Sequence, residues 1–246
     1  VNGTSSGAVY SLEQPGGMIW YEISITAKGD PRLPETNFIM LSRDITDRKL
    51  AENKLQLANE TLQERLLEIE ALQARLREQA VRDHLTGLYN RHYLQETLDR
   101  EIARALRSEQ SVSVMIIDAD HFKRINDSHG HKAGDLVLRA LGNLLKSCIR
   151  AGDIPCRYGG EEFIIVMPGV PLSTAHERAA HISSRINELR VPHENVHLQV
   201  TVSVGVATIP QHGLNGEDVL LRADRALYRA KELGRNRIVL YEEGIS

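Results

Sequence analysis

The chain has 246 residues, a formal net charge of −3, 41% hydrophobic and 26% charged residues. This is an ordinary globular balance, long enough for one or two domains around a buried core. No dense Lys/Arg cluster argues for nucleic acid, and no apolar run approaches the roughly 18–20 residues of a membrane span. Cys148 and Cys156 fit neither a zinc pattern nor a disulfide framework, and read as partly buried thiols in a reducing compartment. No signal peptide opens the chain, so the expected location is cytoplasmic. Val1 is not a natural start, so the sequence reads as an excised fragment, with upstream membrane segments left open.

Residues 1–46 are strand-like. Across 18–26, Ile19, Tyr21, Ile23 and Ile25 alternate with Trp20, Glu22, Ser24 and Thr26, the period-2 signature of a half-buried strand. Gly29, Asp30, Pro31 and Pro34 punctuate a turn, and residues 37–42 read as a second strand. Two or three strands alone are marginal in water, so this segment reads as part of a larger domain. Asp44, in Asp44-Ile45-Thr46, is placed to cap a following helix.

Residues 47–82 contain neither Gly nor Pro and are rich in Leu, Gln, Glu, Arg and Ala, which predicts a helix. Leu55, Leu62, Ile69 and Leu76 recur every seven residues, one seam of a coiled coil and a route to a homodimer. Asn59, Leu66, Gln73 and Ala80 complete the seam in one register; Ala58, Arg65, Leu72 and Gln79 complete it in another. Each set mixes apolar and polar residues, and two near-degenerate registers are what a switch requires.

Residues 83–246 alternate between helix and strand patterns. Helices are expected near 91–107, 132–149, 173–189 and 217–233, and strands near 112–118, 153–157, 162–167, 198–207 and 237–241. Residues 112–117 are almost wholly apolar, as in a central strand covered on both faces. The fold class expected is therefore α/β (α+β): a central mixed sheet flanked by helices, preceded by the long helix and the β segment.

Two acidic clusters carry the chemistry. Arg157-Tyr158-Gly159-Gly160-Glu161-Glu162-Phe163 reads as a hairpin whose glycines permit positive φ and close approach of a ligand. Asp118 and Asp120 end the buried strand, where charges need partners and where open α/β sheets place ligands. If the hairpin pairs beside this strand, Asp118 faces Glu161 and Glu162, a hard-oxygen set suited to Mg²⁺. An ion pair of Asp118 with Lys123 or Arg157 is the alternative.

Together these pieces resemble the GGDEF family of diguanylate cyclases, in its GGEEF form. Asp83-His84-Leu85-Thr86-Gly87-Leu88-Tyr89-Asn90-Arg91 is similar to the family's opening D-x-L-T-G-L-x-N-R. Asp118 to Asp127, Gly130-His131-Lys132-Ala133-Gly134-Asp135 and Gly234-Arg235-Asn236 are similar to its three later motifs. The resemblance implies that Asp118, the Ala119 carbonyl, Glu161 and Glu162 hold Mg²⁺, with Mn²⁺ as an alternative ion. It implies that Glu161 helps deprotonate the 3′-hydroxyl of GTP, and that Asn126 and Asp135 read guanine. The backbone of His121 and Phe122, with Gly160, Lys123, Lys231 and Arg235, would cradle the triphosphate. His131 is read either as bridging the helix start or as touching ligand.

The resemblance also implies that Arg150 and Asp153 form an R-x-x-D site where product, cyclic di-GMP, binds and inhibits. A further arginine would come from the next helix, with Arg178, Arg185 and the position of His181 as candidates. The end of the β segment, 42–49, resembles the D-I-T exit of a PAS sensor. The implied organisation is a partial PAS-like segment at 1–46, a coiled-coil helix at 47–82 and a diguanylate cyclase domain at 83–246. The enzyme reading competes with a non-catalytic cyclic di-GMP receptor and with a cyclase acting within one nucleotide.

Overall fold

The structure, a computed structural model, describes residues 4–29, 32–33 and 37–243. Asp30, Pro31 and Pro34 of the expected turn lie outside them. The chain divides into two compact units, 1–74 and 75–246.

In the first unit, β1 (Thr4–Gln14), β2 (Gly17–Lys28) and β3 (Asn37–Asp44) form an antiparallel sheet in that order. Strand β1 carries no clear alternation, and the sequence reading did not separate it. The sheet leaves Phe38, Ile39, Met40 and Leu41 of β3 exposed, so neither face is a closed core. The one buried hydrophobic residue among those described in this unit is Ile45, just after β3. Asp44 Oδ1 accepts from the Thr46 N–H (2.9 Å) and from the Thr46 hydroxyl (2.6 Å). Trp20 N–H donates to Thr46 Oγ1 (2.9 Å). This polar clamp starts the long helix α1 (Thr46–Val81), along which Leu55, Leu62, Ile69 and Leu76 are exposed.

The second unit holds a six-stranded mixed sheet in the order β11-β10-β5-β7-β6-β4. Its elements, in chain order, are β4 (Tyr89–Asn90), α2 (Arg91–Arg107), β5 (Val112–Ala119), α3 (Phe122–His129), α4 (His131–Cys148), β6 (Ile154–Gly159), β7 (Glu162–Pro168), α5 (Leu172–Glu188), β8 (Val191–His193), β9 (Val196–Leu198), β10 (Val202–Ile209), α6 (Gly216–Glu232) and β11 (Ile238–Leu240). Strand β5 is buried throughout. Its alternation divides the core: Val114 and Ile116 pack with Leu94, Leu98, Ala223 and Leu227 of α2 and α6. Met115 and Ile117 pack with Phe122, Val137, Leu141 and Ile182 of α3, α4 and α5. Each such buried Val, Leu, Ile, Met or Phe side chain contributes roughly 1.5–3 kcal/mol of transfer free energy.

Helix α6 lies hard against β10. A Cβ at Gly205 would overlap the Ala223 carbonyl oxygen and the Leu227 backbone, so glycine is required for this approach. Cys156 is fully buried, and burial first, then the negative Asp83, pushes its thiol up to about 12.

The four expected helices are present within one residue at each end. The expected strand 198–207 is instead the end of β9, which pairs with β8 in a separate two-stranded sheet, and the strand β10, with 199–201 unpaired between them. The short helix α3 was not expected. Its sequence is mostly polar and buries only Phe122, so it carries no apolar period to read. The two-residue β4 and the β8–β9 hairpin are too short for any period to show.

Candidate active site

Hairpin β6–β7 turns through Gly160 at φ +48°, with a bulge between Arg157 and Gly159. Strand β7 pairs antiparallel with β5 so that Asp118 stands opposite Glu162. The Ala119 N–H donates to the Glu161 carbonyl (3.3 Å). Sheet register therefore brings the two acidic clusters together. Asp118 is buried and Glu161 and Glu162 are half-buried.

The partner of Asp118 is Lys231 at the end of α6, with Nζ 2.9 Å from Oδ2. This corrects the expected alternative: Lys123 is exposed on α3, and Arg157 pairs with Asp83 (3.2 Å). The remaining Arg157 donors, Nε and Nη2, go to the Gly160 carbonyl at 3.0 and 2.8 Å. Burial pushes the Asp118 carboxyl above its ordinary range, aided by Glu161 and Asp120 and opposed by Lys231. Burial likewise raises Glu162, aided by Asp118, Asp224 and Glu161 and opposed by Lys231.

These residues fit a divalent cation. Asp118 and Glu162 are neighbouring carboxylates with Lys231 paired to Asp118, and burial first, then the adjacent carboxylates, raises both pKa values. Among the described residues no group of three side chains forms a preformed metal cage. Mg²⁺ characteristically takes one or two carboxylates and completes its shell with phosphate and water.

Helices α3 and α4 form the second wall. His121 stands at φ +56° where α3 begins. Asn126 Oδ1 is buried without a hydrogen-bond partner and lies against Gly134. A Cβ at Gly134 would overlap that oxygen and come within 2.9 Å of Phe122 Cζ. Asp135 follows, half-buried on α4, while His131 is exposed in the first turn, whose cap position is Gly130. On the third side, Arg235 is exposed in the turn after α6 at φ +62°.

Arg150 and Asp153 sit apart from this cluster, on the loop before β6. Buried Asp153 accepts from the Arg150 N–H (2.7 Å) and from both terminal nitrogens of Arg178, Nη1 at 3.3 Å and Nη2 closer. Arg178 is thus the α5 arginine that meets this loop; Arg185 and His181 are exposed. A cavity of about 540 Å³ opens beside it, lined by Arg82, Tyr89, Lys146 and Arg150 among others.

Sequence reasoning missed two of these relationships, Lys231 on Asp118 and Arg157 on Asp83, and named Arg178 only as one of several candidates to meet Asp153. All three join residues distant in sequence, and no local spacing marks them. Arg157 alone carries a signal, two residues before the glycines.

A mixed α/β domain with carboxylates, a lysine and a glycine turn at the mouth of its central strand defines a fold class; comparison supplies the family. The profile described as diguanylate cyclase, GGDEF domain, matches residues 80–237, and the chain belongs to that family. It is 44% identical to the response regulator PleD of Caulobacter vibrioides over 66% of this chain and 36% of that protein. It is 36% identical to diguanylate cyclase DgcP of Pseudomonas aeruginosa over 95% of this chain and 35% of that protein. The chain thus spans about a third of the length of these relatives. Among solved structures, the coiled coil and GGDEF domain of DgcB from Caulobacter crescentus, in complex with c-di-GMP, superposes with TM-score 0.70 at 29% identity, covering 76% of this chain and 98% of that one. An active GGEEF domain of a diguanylate cyclase from Vibrio cholerae superposes with TM-score 0.59 at 38% identity, covering 63% and 98%.

Proposed function

We propose that the chain condenses two GTP into cyclic di-GMP and two pyrophosphates. The observation that carries this is the Asp118–Glu162 register opposite Lys231, in a member of a family described by that activity. Two 3′-oxygen–phosphorus bonds form, two bonds to pyrophosphate break, and the two hydroxyl protons leave. Glu161, half-buried on the turn, is placed to take such a proton.

Asp118, Glu162 and the Ala119 carbonyl would hold Mg²⁺, which supplies charge neutralisation on the triphosphate. Lys123, Lys231 and Arg235, with the backbone at Gly160, His121 and Phe122, bind phosphates by charge and hydrogen bonding. Asp135 accepts from guanine N1–H and N2–H. Asn126 presents its amide beside it, held by the void at Gly134. Positioning and charge neutralisation account for most phosphoryl-transfer catalysis.

One domain holds one GTP, so two domains must meet. The exposed heptad residues Leu55, Leu62, Ile69 and Leu76 on α1 support a coiled-coil homodimer, which raises the effective concentration of one site at the other. Residues 1–46 fit a PAS-like sensor remnant, 47–82 the signalling helix and 83–246 the catalytic domain. Arg150, Asp153 and Arg178 form the candidate inhibitory product site: the Arg178 fork fixes Asp153, leaving the Arg150 guanidinium exposed to grip phosphate or guanine.

The deciding experiment incubates the purified chain with GTP and Mg²⁺ and identifies products by mass. Cyclic di-GMP with pyrophosphate supports the proposal. No turnover combined with tight cyclic di-GMP binding makes the chain a receptor, and cyclic GMP makes it an intramolecular cyclase.

A further inference from the structure

Asp120 lies outside the roles assigned above, yet it is one of the most heavily engaged carboxylates in the molecule. It is buried, two residues beyond Asp118. Its Oδ1 accepts from the Ser203 hydroxyl (2.7 Å). Its Oδ2 accepts from the Thr201 hydroxyl (2.8 Å) and from the backbone N–H of Asn236 (3.0 Å). Its own N–H donates to the Thr201 carbonyl (2.9 Å). A buried carboxylate needs such partners. Two of them belong to the neighbouring strand β10 and its approach, but the third belongs to the turn that carries Arg235.

That turn is unusual. Gly234, Arg235 and Asn236 follow one another at φ +108°, +62° and +45°. Consecutive left-handed residues that are not glycine are strained, and persist only where the surroundings hold them. Three local hydrogen bonds hold them here, Gly234 N–H to the Lys231 carbonyl (3.3 Å), Arg235 N–H to the Ala230 carbonyl (3.0 Å) and Arg237 Nε–H to the Arg235 carbonyl (3.0 Å), and a fourth runs from Asn236 N–H to Asp120. Of these only the bond from Asn236 ties the turn to the strand end bearing Asp118. Arg235 lies in the strained turn and Lys231, at the end of α6, accepts from its Gly234 N–H, so the turn's anchor bears on both cations.

We propose that Asp120 is a positioning residue: by holding the Asn236 amide it fixes the turn after α6 and so presents Lys231 and Arg235 to the triphosphate of bound nucleotide. This rests on the reading above that those two cations take the phosphates. It predicts an effect confined to the phosphate end of the ligand, which a merely structural carboxylate would not produce.

The test compares affinities of the full chain, with Mg²⁺, for a non-hydrolysable GTP analogue and for GMP by calorimetry. Asp120→Asn keeps an acceptor for Ser203 but presents an N–H₂ or a displaced oxygen to Asn236. Asp120→Glu keeps the charge but moves it. Both should weaken the GTP analogue about tenfold or more, a change of about 1.4 kcal/mol, and leave GMP within about twofold. Thr201→Val, which removes a bond to the same oxygen but spares Asn236, should leave the ratio of the two affinities at the parent value.

Equal losses for both ligands, no loss, a loss in the Asn variant alone, or the same loss in Thr201→Val would overturn the proposal. A parent that binds neither nucleotide overturns the proposed function instead. Should the Asp120 variants fail to fold, amide exchange in the parent decides: the Asn236 N–H must be protected before ligand is added, and exchange at the solvent rate rejects the anchor.

Discussion

Arg157 and Asp83 are paired at 3.2 Å, with both side chains about 15% exposed. The same guanidinium holds the Gly160 carbonyl. The residue that opens the domain two positions after α1 is thereby tied to the turn carrying Glu161. Burial raises the Asp83 carboxyl, but the Thr86 hydroxyl and N–H, together with Arg157, hold it below the usual carboxylate range. A depressed folded pKa gives stability that is present above the unfolded value and lost as pH falls through the folded one. Asp83→Asn should therefore flatten the acid limb of the melting-temperature profile. At neutral pH it should cost about 1–3 kcal/mol, read by denaturant unfolding, with turnover reduced because the turn is loosened.

Glu161→Gln should abolish turnover, by about 10²–10⁴-fold if it acts as a general base, while GTP affinity changes far less. Product formation near the parent rate would remove Glu161 from its assigned role.

Asp118 and Glu162 are shifted the other way, so protons compete for them more effectively than for ordinary carboxylates. A raised folded pKa means that ionisation of these groups costs stability as pH rises. Mg²⁺ should offset that cost. Its stabilising effect on melting should therefore be larger at neutral pH than in the ordinary carboxylate range, and the Mg²⁺ concentration for half-activation should rise as pH falls. Lys231→Met removes the group that lowers both pKa values, and should move the acid limb to higher pH. An unchanged limb would mean that Lys231 does not govern the pair.

Arg150→Ala should lengthen the linear phase of progress curves as product accumulates, and weaken cyclic di-GMP binding by calorimetry. Arg178→Ala should do the same by a different route, since it leaves buried Asp153 without its strongest partner. It should also lower the melting temperature, which Arg150→Ala should not.

On α1, replacing Asn59 and Gln73 with leucine favours one seam, and replacing Arg65 and Gln79 favours the other. Burying an Arg or an Asn in a seam costs stability, so each pair of substitutions should shift the balance by relieving one register. The two variants should be dimeric by light scattering and depart from parent activity in opposite directions. Equal rates would reduce the helix to a tether.

The sheet and its helices were legible because their signals are local: the apolar run 112–117, the glycine pair and four amphipathic periods. The approach of Asp118 to Glu162 was legible as well, because a hairpin pairing beside that strand admits few registers. What stayed hidden was which cation meets which carboxylate. Lys231 reaches Asp118, and Arg178 reaches Asp153, only through the packing of α6 and α5 on the sheet, a tertiary relation with no sequence period. Helix α3 stayed hidden for the opposite reason: it is too polar to announce itself, and exists because Phe122 is pinned in the core beneath it.

At Gly205 the α6 backbone rests on that of β10 with no side chain between them. A helix separated from a sheet by side chains can slide as rotamers change; one seated on bare backbone has no such bearing. Lys231, four residues beyond Leu227 on the same helix, therefore takes its place beside Asp118 from this contact as well as from the turn held by Asp120. A slide of α6 along β10 would have to break this backbone contact before it could draw the cation from the carboxylate it faces.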